Sequence, residues 1–168
     1  MKTQIALEDV MINLAKNSGQ PSVIIMDRGL MDSAGYIGWE KFNEILERMN
    51  WTVEELRDRR YDAIVHLVTA ADGAPEFYDK NRYQQSYINY ETLEEAINRD
   101  QKLQKVYLGH NNVSFIGNTE PDGFNGKMDR LVNAVYASLG LPNCEKRFRK
   151  FLLKPLHETI LEGMVPYN

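Results

Sequence analysis

Asp27, Arg28 and Gly29 follow four apolar residues, Val23 to Met26, in the stretch VIIMDRGLMD. An acid and a base at the carboxyl end of a buried strand suit phosphate chemistry. A carboxylate there holds Mg²⁺ directly or through water, or accepts a proton as a base. The planar fork of an arginine matches phosphate oxygens. A structural alternative stands beside this reading: Asp27 caps the next turn and Arg28 pairs with an acid such as Asp32. Three residues do not decide between the two.

Further bases stand in DKNRYQQSYINYETLEEAINRD, where Arg82 and Arg99 flank a polar stretch interleaved with aromatics. In a kinase-like protein a lid closes on phosphates with such residues. The alternative is a solvated loop and helix in which Arg99 pairs with Glu95. His66 lies within an apolar run and reads as a hydrogen-bonded core histidine, His110 as a residue at a helix carboxyl end. With His157 they give no metal-ligand spacing, which argues against a zinc site. Ser33 and Ser114 stand in no nucleophile motif. The lone Cys144 excludes an internal disulfide and reads as incidental.

The elements that must position these residues follow from periodicity. Residues 3–16 place Ile5, Leu7, Val10, Met11 and Leu14 on one helical face. Residues 22–26 read as a short buried strand. Residues 39–49 form an amphipathic helix. Thr52 with Glu55 is a capping box that opens another short helix, and Thr92 with Glu95 opens a helix over 93–108 that Gly109 stops. Residues 63–68 and 113–117 are two more buried strands, and 127–139 is a last helix ended by Gly140 and Pro142. Strands separated by helices imply a parallel sheet with ligands beyond its carboxyl ends. That edge receives Asp27 and Arg28, residues 69–73, and Asn118 as a further phosphate-side candidate.

The bulk composition sets outer limits. The chain has 168 residues, 43% hydrophobic and 26% charged, which suits one soluble domain. Its net charge of -4 gives no basic field for nucleic acid. No apolar run approaches membrane-spanning length, so a cytoplasmic protein is expected, peripheral at membranes if the tail binds them. That tail, residues 143–168, contains CEKRFRKFLLK at 144–154. Lys146, Arg147, Arg149, Lys150 and Lys154 interleave there with Phe148, Phe151 and Leu152. They suit an anionic lipid surface at about 1 kcal/mol per base, or form an ordinary charged element end.

Taken in order, MKTQIALED, VIIMDRGLMD, LRDRRYDAIVHLVTAADGAPEFYD, ETLEEAINRD, YLGH and KMDRLVNAVYASLGLP resemble the NadR/Ttd-type AAA domain, a P-loop NTPase. Within it they are most similar to the TRPL translocation defect protein fourteen group. The pieces LRDRRYD and HLVTAADGA are the most specific. The resemblance implies an α/β fold, a three-layer parallel sheet of P-loop NTPase type, over residues 1–142. It implies Mg²⁺ with GTP or ATP, a following CYTH-like domain begun by residues 147–154, phosphoinositide binding and a role in membrane-protein trafficking. Asp27 becomes the Mg²⁺-facing acid, acting through water, and Arg82 and Arg99 fall in the lid. The 168 residues contain no G-x-x-x-x-G-K-[ST], the loop that cradles phosphates. The expected domain therefore lacks the N-terminal P-loop strand and helix. As this chain stands it is expected to be inactive, with a completing chain or a homo-oligomer as partner, and with either the Mg²⁺ and nucleotide of the full-length family or no cofactor. Two other functions stay open: a non-catalytic lipid or protein interaction module, and a nucleoside-type small-molecule kinase.

Overall fold

The computed structural model describes residues 1–78, 91–119 and 123–142. In chain order these form α1 (Lys2–Asn17), α2 (Asp32–Ile37), α3 (Trp39–Met49), β1 (Ile64–Leu67), α4 (Leu93–Tyr107), β2 (Val113–Ile116) and α5 (Gly123–Ser138). A π-helical turn, Glu54–Asp58, and a 3₁₀ turn, Pro75–Phe77, lie in the connections. The architecture is α/β. β1 and β2 pair in parallel, with Ile64 opposite Val113 and Leu67 opposite Ile116. A crossover through α4 joins them, as parallel pairing requires.

The core forms where α2, α3 and α4 meet. Leu30, Met31, Ala34, Phe42, Leu46, Leu56, Val106 and Tyr107 are buried there, and Ile64 and Val113 close it from the sheet. α5 packs against both strands. Helix α4 is set by its sequence: Thr92 accepts from the Glu95 amide while the Glu95 carboxylate accepts from the Thr92 amide. Its inner stripe is Ala96, Asp100, Leu103 and Tyr107, spaced for one helical face. The expected capping box at Thr52 is also present.

Two sequence expectations are corrected. Residues 22–26 form no strand, and Val23 and Ile25 are more than half exposed. An extended apolar segment becomes a strand only when a neighbour receives its backbone hydrogen bonds, and no neighbour among the described residues does so. The sheet of the described residues is thus two-stranded, smaller than the three-layer sheet expected. The second correction concerns α1, which has the expected helical period in a different phase. Leu7, Val10, Met11 and Leu14 are exposed, while Ile5 packs on the core and Glu8 is buried. A polar anchor fixes this rotation: Glu8 accepts from Arg60 Nε and from Tyr61 Oη at 3.1 Å.

Candidate functional site

The loops beyond the carboxyl ends of β1 and β2 are tied together by side chains. Asn118 Nδ2 donates to the carbonyls of Val68 (3.3 Å), Thr69 (2.7 Å) and Asp72 (2.6 Å). Lys127 Nζ reaches in from α5 and donates to Val68 O at 2.6 Å and Asn118 Oδ1 at 2.7 Å. Both ends of the Asn118 amide are therefore engaged in holding the loops. Burial lowers the Lys127 pKa, Asp100 opposes that shift, and Arg130 adds to it.

Asp100 supports the same edge from α4. Its carboxylate lies 2.9 Å from His66 Nε2 and accepts from Thr69 N at 3.2 Å and Gln104 Nε2 at 2.7 Å. Burial raises its pKa, but the hydrogen bonds from His66 and Gln104 outweigh burial and hold the group below the ordinary carboxylate value. The folded state thus binds this proton less readily than the unfolded chain. Its stabilisation is present above the ordinary value of 3.8 and fades as pH falls through the lower folded value. Asp100→Asn is expected to flatten the loss of thermal stability as pH falls below the ordinary carboxylate value of 3.8. Melting curves across that range check this, and an unchanged slope refutes it.

The Asp27–Arg28–Gly29 turn packs at the carboxyl-terminal end of α4, with Gly29 against Tyr107. Asp27 is exposed on a bend. Arg28 has a φ of +81°, in the left-handed region that non-glycine residues rarely occupy. Contacts on both sides hold it there. Gln4 Nε2 donates to Arg28 O at 3.3 Å, and Leu30 N donates to Tyr61 Oη at 2.9 Å. Tyr61 in turn donates to Glu8, and burial with the Glu8 charge raises the tyrosine pKa. The Arg28 guanidinium stands 3.7 Å from Asp32 Oδ2 and remains 63% exposed, so most of its donors face solvent. The ion pair weighed as the structural alternative is present, and the exposed fork leaves the anion-binding reading standing beside it.

Between α2 and α4 runs an open groove of about 360 Å³, lined by Gly35, Tyr36, Glu91, Glu95, Asn98, Arg99 and Lys102. Arg99 pairs with Glu91 at 2.8 Å rather than with Glu95, whose carboxylate is occupied by the helix cap. One helix thus serves both places, with Arg99 and Lys102 toward the groove and Asp100 toward the sheet. No hydrogen bond or ion pair among the described residues joins Asn118 to Asp27 or Arg28. Arg82, Lys146, Arg147, Arg149 and Lys150 lie outside the described residues. Asp100, Lys102 and Lys127 were not among the sequence candidates, and Asp32 was named only as an ion-pair partner for Arg28. Asp100 carries a signal, an acid on the inner stripe of α4. Lys127 carries none, since its burial depends on a loop distant in sequence.

A family model described as an AAA domain matches residues 1–120, well over half of the chain. The chain belongs to the AAA domain family. Asp27, Arg28, Arg99 and Asn118 all lie within the matched span. This AAA domain is of the nucleotide-binding, P-loop type. No curated protein and no solved structure matches it. No helix of the described residues is long and apolar enough to cross a membrane.

Proposed function

We propose that this AAA domain binds GTP or ATP with Mg²⁺, placing the phosphates against Arg28, with Arg99 and Lys102 as the bases of the α2–α4 groove that Glu91 and Glu95 also line. The observation that carries the reading is Arg28, an exposed guanidinium on a left-handed backbone beside the exposed Asp27. These residues fit the charge of the ligand: Arg28, Arg99 and Lys102 offer donors to phosphate oxygens, and Asp27 is free to hold a hydrated cation. Bound Mg²⁺ spreads positive charge over the phosphate oxygens. The chain's own residues bind and orient: Arg28 as a fork, Arg99 with Arg82 from the lid side, and Asn118 by fixing the loops at the sheet edge.

The finer reading places the domain in the NadR/Ttd type, near the TRPL translocation defect protein fourteen group. It assigns Lys146, Arg147, Arg149 and Lys150 to a phosphoinositide surface, with a role in membrane-protein trafficking. A completing chain that bears a glycine-rich phosphate loop would supply the phosphate cradle absent from these 168 residues and tighten the nucleotide binding. The exposed Val23 and Ile25 support such a completion, since apolar segments of this kind pack inside complete parallel sheets.

Calorimetric titration of the chain with GTP and ATP tests the core of the reading. Mg²⁺-dependent binding is expected, weakened about tenfold or more by Asp27→Ala and by Arg28→Ala. Absence of binding at millimolar nucleotide, or binding indifferent to both substitutions, overturns it.

A further inference from the structure

Arg28 is long, flexible and mostly exposed, yet its surroundings are built to aim it. Asp32, one helical turn further on, is a buried acid on the first turn of α2, and its carboxylate stands 3.7 Å from the Arg28 guanidinium. The carboxyl group is anchored from behind. The buried Tyr107 hydroxyl sits against Gly29, whose carbonyl accepts from Asp32 N at 3.2 Å, and burial together with the Asp32 charge raises the tyrosine pKa. Gly29, between Arg28 and Leu30, leaves the room this requires, because a Cβ there would stand 2.1 Å from the Tyr107 oxygen. The Arg28 backbone is held in turn by Gln4 and, one residue on, by Tyr61.

A buried carboxylate needs compensation by charge or hydrogen bonds. Here one of its two visible partners is a side chain that otherwise reaches into solvent. A fixed acid beside a free arginine narrows the arginine's rotamers and leaves its outward donors available, which lowers the entropy cost of gripping an anion.

We infer that Asp32 is a positioning residue, anchored by Tyr107, that pre-orients Arg28 as a clamp for a phosphate group. The inference rests on the nucleotide reading above and adds to it the acid through which Arg28 is aimed. Asp32 touches no ligand in this account, and all of its effect passes through Arg28.

The test is a double-mutant cycle with Mg²⁺·ATP as the probe, followed by NMR shift titration of the full chain so that weak binding is measurable. Asp32→Asn keeps the shape and a partner for Tyr107 while removing the charge. It is expected to weaken binding about tenfold in the native background and less than twofold in the Arg28→Ala background. A loss of equal size in both backgrounds marks Asp32 as merely structural and overturns the inference while leaving nucleotide binding intact. No binding by the native chain overturns both. Should circular dichroism show that Asp32→Asn fails to fold, Tyr107→Phe carries the test. It keeps the charge but removes the anchor, and its smaller loss of affinity must likewise vanish in the Arg28→Ala background. Persistence of that loss refutes the mechanism.

Discussion

Gly29→Ala is expected to destabilise the domain by about 3 kcal/mol, the upper range for forcing one extra carbon into a packed site. The added Cβ would stand 2.1 Å from the Tyr107 hydroxyl oxygen and 3.1 Å from the ring carbon that bears it. Neither neighbour retreats easily. Tyr107 is 5% exposed, lies in the last turn of α4 and contributes to the core with Leu30, Met31 and Phe42. Gly29 itself is bracketed by the constrained Arg28 and by Leu30, whose amide is held by Tyr61. The clash is with one oxygen above all, so Tyr107→Phe in the Gly29→Ala background should recover part of the loss. Chemical denaturation of the single and double variants measures this. A Gly29→Ala variant as stable as the parent would show that α4 shifts freely against the turn, contrary to the packing described.

Glu8→Ala is the second large effect, at about 3–5 kcal/mol, the range for removing one partner of a buried ion pair. Glu8 is 4% exposed although it sits on a helix whose Leu7, Val10, Met11 and Leu14 face outward. Its carboxylate accepts from Arg60 Nε, from Tyr61 Oη at 3.1 Å and from Gln4 Nε2 at 3.0 Å. Without it Arg60 keeps Asp9 at 2.8 Å and the Ile5 carbonyl at 3.0 Å, but loses its buried counter-charge. Asp9→Ala provides the contrast. That side chain is 54% exposed, and its removal should cost under about 1 kcal/mol. Equal losses for the two variants in urea melts would contradict the assignment of the buried acid as the anchor of α1.

Much of the framework could be read from local signals. Helix α4 announces itself through the Thr92–Glu95 box, and α3 through the face shared by Phe42 and Leu46. Both strands at 64–67 and 113–116 fall inside the apolar runs that suggested them. What escaped depends on partners distant in sequence. The rotation of α1 is decided by Arg60 and Tyr61, more than fifty positions away from Glu8. Segment 22–26 has strand composition without a strand's neighbour. The six-residue α2 has too few turns to show a period, and it exists where Gly35 lets the chain approach Leu103 closely. At the candidate site, Asp27 and Arg28 were visible from their types and place. Asp32 was visible as the pairing acid, but the backbone strain at Arg28 and the Tyr61 and Tyr107 hydroxyls around the turn were not, because they depend on elements distant in sequence.

The Asn118 amide has a consequence for how the molecule is assembled in time. It collects three carbonyls from a loop 46 to 50 positions earlier in the chain, and its own oxygen is held by Lys127. The three carbonyl bonds cannot form until β2 has docked beside β1 in its final register, so a long loop must close before any of them is gained. The helices, with local contacts, can form earlier; the sheet edge comes late, and it comes as a unit. The same coupling runs in reverse. Loss of the Asn118 clamp frees the ends of both strands and the start of α5 together, so this edge opens cooperatively rather than fraying one residue at a time.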